Sequence, residues 1–189
     1  MNEEILENFG PLRNFAGVWE GGPGDDAAPS AERQKTNHQY TEKMVLVPLN
    51  PVANHEQKLF GLRYSTQSFR LGEADPFHDE VGYWLWDPKE ELLFKGVTIP
   101  RGMVLLAGGH AKAADKSFKL KAVLGAHTFG ICSNPFLDVE FQTVKYEIEM
   151  KFNPDGSFTY DQNSHIKIKG QDKLFEHRDI NTLHRKSGA

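Results

Sequence analysis

Between Phe141 and Tyr160 the chain alternates apolar and charged residues almost without a break. In an extended strand Val144, Tyr146, Ile148, Met150 and Phe152 fall on one side, and Lys145, Glu147, Glu149 and Lys151 on the other. Pro154-Asp155-Gly156 then supplies a tight turn, after which Phe158 and Tyr160 resume the apolar side. A sheet wetted on one face must bury the other. This hairpin therefore commits the chain to a barrel or a sandwich.

The remainder reads the same way. Residues 2–9 predict a short helix, with Asn2 as N-cap, Glu3 and Glu4 in the first turn, and Gly10-Pro11 as its stop. Strands are expected at 15–20, 34–47, 58–69, 80–86, 92–99, 103–107, 117–124, 141–153 and 157–163, with a last pair at 164–169 and 175–185. Three stretches fit no strand: Gly21 to Glu32, Leu71 to Pro76, and Gly125 to Asp138. The first reads as a mobile connection, whereas Ile131 to Leu137 is apolar enough to be packed against something.

A length of 189 residues suits one domain spanning 1–189. Lys plus Arg number 22 against 26 Asp plus Glu, a net charge of -4, and no basic block is present, which excludes nucleic acid as a partner class. The single cysteine, Cys132, rules out a disulfide framework and multi-cysteine zinc motifs; it is expected to be a buried thiol in a reducing compartment. The start, MNEEILENFGPL, has no cationic segment followed by an apolar run, and no stretch reaches the roughly 18 apolar residues of a membrane helix. The expectation is a cytoplasmic, soluble chain with no membrane partner.

Eight histidines occur, but none in an H-x-H or H-E-x-x-H pair. No G-x-S-x-G elbow, P-loop or dinucleotide fingerprint is present, and Gly21-Gly22-Pro23-Gly24 lacks the continuation that would make it a phosphate loop. Two local patterns stand out. One is Gly17-Val18-Trp19-Glu20-Gly21 on the first strand. The other is Pro76-Phe77-His78-Asp79-Glu80-Val81-Gly82-Tyr83-Trp84, in which His78 and Glu80 share a strand face with Trp84 and Trp86. Aromatic neighbours favour placing that polar pair inside, as part of a pocket wall.

These features resemble the calycin group of lipocalin-like and fatty-acid-binding-like barrels. More narrowly, they are similar to the nitrobindin-like haem-binding β-barrel family, whose P-x-H-x-E-x-G-[FY] stretch is matched by Pro76, His78, Glu80, Gly82 and Tyr83. The resemblance implies an all-β fold: a single antiparallel barrel of about ten strands with the N-terminal helix closing one end. It also implies haem b in the barrel, with His78 on the distal side, His78, Glu80 and Trp84 around the cofactor, and a histidine of the last strand on the iron. The family pattern there is roughly H-L-x-A-x-L. Counting back from Leu183 lands on Arg178, so His177, the expected iron ligand, stands one residue off, a shift that reverses the face of a strand unless a bulge compensates.

Open haem iron would take nitric oxide or support chemistry on nitrogen oxides. The alternative is a haem-free carrier of a fatty-acid-like or other small apolar ligand, with Arg63 and Arg185 as carboxylate anchors. An isomerase or hydrolase on the same barrel is the enzyme rival, and it would need a strongly shifted titratable group inside. The expected state is a monomer or homodimer whose partner is haem or a small ligand.

Overall fold

A computed structural model describes residues 6–186. A 3-10 helix, Glu7–Leu12, leads into twelve strands: β1 (Gly17–Pro29), β2 (Lys35–Pro48), β3 (Val52–Asn54), β4 (Gln57–Arg70), β5 (His78–Asp87), β6 (Leu92–Ile99), β7 (Met103–His110), β8 (Ser117–Leu124), β9 (Gly130–Ser133), β10 (Phe141–Phe152), β11 (Phe158–Ile168) and β12 (Phe175–Arg185). One α-helix, α1 (Pro135–Glu140), lies between β9 and β10. The strands pair in the order β2-β1-β12-β11-β10-β8-β7-β6-β5-β4, and β4 returns to β2, which closes the sheet into a barrel. Short β9 wedges between β7 and β8, running parallel to β8, and β3 caps the edge of β4.

The Pro154-Asp155-Gly156 turn forms as expected. Phe152 pairs with Phe158, and the Asp155 carboxylate accepts the Ser157 amide at 2.9 Å. Inward positions of the lower half are aromatic and aliphatic, because each strand contributes its apolar side there. Trp19, Phe60, Leu62, Trp84, Trp86, Phe118, Met150, Phe158 and Leu183 are all buried in one cluster. Phe9, Leu12 and Phe15 drop into it from the 3-10 segment and plug that end. The space left among Leu12, Phe15, Met44, Leu46, Trp84, Phe118 and Met150 is about 10 Å³.

Residues 2–5 lie outside the described residues; the helical run breaks at Gly10, whose φ is 51°, where the sequence placed its stop, and a second short turn carries Pro11 to Leu12. Four expectations need correction. Gly21 to Glu32 is not a mobile connection, since β1 runs on to Pro29 across a bulge and stays paired with β2 and β12. Residues 157–163 and 164–169 are one strand, β11. Gly125 to Asp138 contains β9 and the first four residues of α1, the latter capped by the Asn134 side chain, which accepts the amides of Phe136 at 2.9 Å and Leu137 at 3.0 Å. Ile131 and Leu137 are buried, while Cys132 is exposed because β9 turns it outward.

Candidate functional site

The open end of the barrel differs chemically from the plugged end. Its inward positions carry Tyr40 and Glu42 from β2, Thr66 and Ser68 from β4, His78 and Glu80 from β5, Lys95 from β6, Tyr146 from β10, Tyr160 and Gln162 from β11, and His177, Asp179 and Asn181 from β12. Opposite them Ile99, Met103 and Leu124 pack on the core and give that wall an apolar surface.

Strand alternation puts His78 and Glu80 on the inside with Trp84 and Trp86, as their spacing predicts. Gly82 continues that face without a side chain, and it must: a Cβ there would stand 1.9 Å from the Gly96 carbonyl oxygen. Glu80 is locked between partners. The Lys95 ammonium is 2.8 Å away, Tyr64 donates its hydroxyl at 2.5 Å, and His78 Nε2 lies at 3.6 Å. Burial pushes the Glu80 carboxyl up, but the Lys95 and His78 cations more than offset this and hold it below the ordinary range. For His78 burial works against the charged ring, and the Glu80 carboxylate outweighs it and raises the imidazole.

The floor below the mouth is a second network. Glu42 accepts the Thr66 hydroxyl at 2.6 Å, the Tyr160 hydroxyl at 2.7 Å and the Asn181 amide at 3.1 Å. Tyr160 is also 2.7 Å from the Tyr40 hydroxyl, which in turn meets the Asp179 carboxyl. Tyr160 also stands 3.2 Å from the other Asp179 oxygen, so four oxygen-to-oxygen contacts join Asp179, Tyr40, Tyr160 and Glu42, and the two tyrosines own only two hydrogens. A proton held by the two carboxyls, Asp179 and Glu42, supplies a further hydrogen to the cluster. Burial, with the carboxylates of Glu42 and Asp26 nearby, pushes Asp179 up to about 7. Burial drives Glu42 upward too, against the three donors that converge on it.

At the rim His177 faces inward on the side of Asp179 and Asn181, and its side chain is 36% exposed. Its Nε2 is 2.9 Å from Oδ1 of Asp26, a carboxylate with only 6% of its surface in solvent. Asp26 reaches the interior because of the bulge in β1. Trp19 faces in, and unbroken alternation would point Asp25 inward; the register shift after Gly21 instead turns Gly24 and Asp26 to the inside. Gly24 permits the crowding, since a Cβ there would meet the Tyr40 ring at 2.7 Å and the Asn181 amide at 2.8 Å. Phe77 stands against Tyr40 with ring centroids 5.9 Å apart, and the Arg70 guanidinium lies 4.8 Å over it. Arg33, at the tip of the β1–β2 hairpin, reaches across to Glu140 at 2.7 Å.

The structure thus brings His78, Glu80 and His177 to one end, and not the other sequence candidates. Arg178, where the motif count lands, points outward and pairs with Asp161 at 2.5 Å. Trp84 lies below the floor against Phe118, with Lys95 5.3 Å over its ring. Arg63 is exposed outside, between inward Leu62 and Tyr64, and lines a broad external concavity of about 1000 Å³ with Val47, Tyr83 and Leu106. That hollow is larger than anything else described above, but the convergent polar groups are not in it. Arg185 sits at the plugged end, 4.4 Å over Trp19, donating to the carbonyls of Ala16 and Asn14. Neither arginine can anchor a ligand at the mouth. Sequence reading missed Asp26, Tyr40, Glu42, Tyr160 and Asp179; only the inward parity of β12 set by Leu183 pointed to Asp179.

The donor set can be tested against haem. An axial ligand needs an inward imidazole with a free ring nitrogen, and a buried carboxylate behind it is the usual way to fix such a ring. His177 faces inward, but the buried carboxylate of Asp26 lies 2.9 Å from its Nε2, the nitrogen that reaches furthest from the strand. Ile99, Met103 and Leu124 offer an apolar wall, and Arg70, stacked on Phe77 and 3.4 Å from Glu73, is a rim cation suited to a propionate. Wall and cation suit the group at the mouth, where Nε2 of His177 would hold it on leaving Asp26, while the carboxylate and tyrosine floor bars a porphyrin from going deeper.

The chain matches the THAP4-like, heme-binding beta-barrel domain over residues 8–185. Among solved structures, the crystal structure of Rv2717c from M. tuberculosis is similar, with a TM-score of 0.64 at 18% identity over 96% of this chain and 97% of that one. That likeness concerns the fold. No curated protein sequence matches the chain.

Proposed function

We propose that this chain, which belongs to the THAP4-like, heme-binding beta-barrel domain family, binds haem at the open end of its barrel, with His177 as the axial ligand. The observation that carries the reading is the inward His177 imidazole at the rim, held by buried Asp26. His78 stands on a neighbouring wall with its side chain 32% exposed, placed there by Glu80. Lone Cys132 is exposed on the outside of β9, so the chain has no cysteine pair to tether haem covalently, which favours haem b.

Haem held there by His177 would supply iron that takes a small diatomic such as nitric oxide, and the protein would act as a binding module. The residues around it have separate tasks. His177 binds, Ile99, Met103 and Leu124 exclude water on one wall, and raised His78 offers a hydrogen-bond donor toward the opening. A fatty-acid-like occupant is disfavoured, because an alkyl chain entering the mouth would meet Glu42, Asp179 and Tyr160 rather than apolar side chains.

Adding hemin to the purified protein is expected to give a sharp Soret band that His177→Ala abolishes. A spectrum identical to free hemin, or a band that survives His177→Ala, would refute the assignment.

A further inference from the structure

We propose that two copies of this chain pair through the outer face of β4, β5, β6 and β7, with Tyr83 of each seated over Gly96 of the other. The proposal is independent of the haem reading.

A barrel wall that stands in water carries polar side chains on its outward positions, and β10 does so with Lys145, Glu147, Glu149 and Lys151. The wall built on β4 to β7 departs from that rule. Strand pairing lines up Val47, Arg63, Tyr83, Gly96 and Leu106 in one outward row, and Val45, Ser65, Val81, Thr98 and Val104 in the next. Leu85 and Phe94 meet in a third. Val47, Val81, Tyr83, Val104 and Leu106 are each between 40 and 47% exposed, and Arg63 is the single charge in these rows. Exposed apolar side chains scattered singly are ordinary, but a contiguous face of them marks a contact surface. With strands about 4.8 Å apart and outward residues about 6.8 Å apart along each, five strands by three rows span about 24 Å by 20 Å, on the order of 500 Å². A stable dimer buries about 800 Å² on each partner, an apolar centre inside a polar rim, so the face supplies the centre. The rim begins at the next row toward the mouth, where Gln67 donates to Asp79 at 2.9 Å.

Shape selects a second copy as the occupant. A two-fold contact needs projection and recess on one surface, so that each copy fills the other. Tyr83 is the projection. Gly96, its cross-strand neighbour, is the recess: a Cβ there would meet only the Tyr83 carbonyl oxygen, at 4.0 Å, so the Tyr83 ring of the same chain does not cover it. A two-fold axis running along the strands between β5 and β6 lays Tyr83 over the partner's Gly96, in an aligned packing of two sheets. The same axis sets Leu85 against the partner's Phe94 and Arg63 against the partner's Leu106. It also keeps the two Arg63 charges three strand spacings apart sideways, about 14 Å. Val81, Tyr83 and Leu85 alternate with inward Glu80 and Trp84, so pairing uses the back of that wall and leaves both mouths open.

Sedimentation velocity on the full chain is expected to show a dimer at micromolar concentration. Gly96→Leu has room in its own chain and fills the recess, while Tyr83→Glu removes the projection and brings a charge to the centre. Each is expected to weaken pairing about 30-fold or more with the circular dichroism spectrum unchanged. Lys151→Glu, on the charged wall, is expected to pair as the wild type does. A wild-type chain that stays monomeric, or a dimer that survives in either folded variant, overturns the proposal. So does a monomer that binds dodecanoate in a way Tyr83→Glu abolishes, which would assign the face to an apolar acid held by Arg63.

Discussion

The two halves of this barrel share strands but not chemistry. At the plugged end Trp19, Phe15, Phe152 and Phe158 interlock, with Trp19 and Phe158 centroids 4.7 Å apart, and the space left is too small to admit a ligand. At the open end neighbouring strands of the same sheet present Glu42, Glu80, Lys95, Asp179 and His177. Apolar burial of the first kind stabilises in proportion to area. Buried charge of the second kind stabilises little beyond a well-packed apolar substitute, and is costly once a partner is lost. The plugged half therefore keeps the barrel folded, and the polar half is where the chain has accepted cost for the sake of a site.

Substitutions that hit one half alone can break this contrast. The largest effect is expected from Phe158→Ala, which empties the centre of the aromatic cluster: about 4 kcal/mol should be lost in denaturant unfolding, and a loss below about 1 kcal/mol would show that the plugged half is not the stabilising one. Lys95→Met comes next. It strands the Glu80 carboxylate and should cost about 3 kcal/mol, most of which Lys95→Met combined with Glu80→Gln restores; a double variant as weak as the single one would mean that the pair itself carries stability.

The floor gives a sharper reading through pH. An unfolded aspartate titrates near its ordinary 3.8, whereas folded Asp179 holds its proton up to about 7. Between those values the folded state binds a proton that the unfolded state has shed, so stability falls as pH rises through the window and levels off above it. Asp179→Asn cannot lose that proton. Its thermal midpoint should gain on the wild type steadily from pH 4 to 7, and parallel curves would disprove the shared proton. Arg63→Ala, outside the barrel, should change stability by less than about 0.5 kcal/mol and leave hemin binding as it was.

How much of this was legible in the sequence follows from the same division. Regular alternation reveals a half-wet strand, so β10, β11 and the turn between them could be read directly, as could the inward side of His78 and Glu80. The bulge at Gly21 to Gly24 could not, because glycine and proline look alike in a loop and in an irregular strand, and with it went Asp26. The floor was hidden for a different reason. Tyr40, Glu42, Tyr160 and Asp179 are up to 139 residues apart in sequence, and only the long-range pairing of β1 with β12 brings β2 within reach of β12 and β11. Counting a motif from Leu183 selected Arg178, whereas the alternation of β12 from that same leucine selects His177. Arg63 and Arg185 show the limit of residue type as a guide: both are good carboxylate partners, and neither faces the mouth.

The division of labour is tested most directly by titrating hemin into His177→Ala/Asp26→Ala, which leaves no stranded carboxylate, and into Phe158→Ala in parallel, with the unfolding midpoint of each recorded. His177→Ala/Asp26→Ala should lose the Soret band and keep its midpoint, and Phe158→Ala, studied below its own midpoint, should lose stability and keep the band. Loss of both properties together in either variant, or a band that depends on Phe158 and not on His177, would contradict the account.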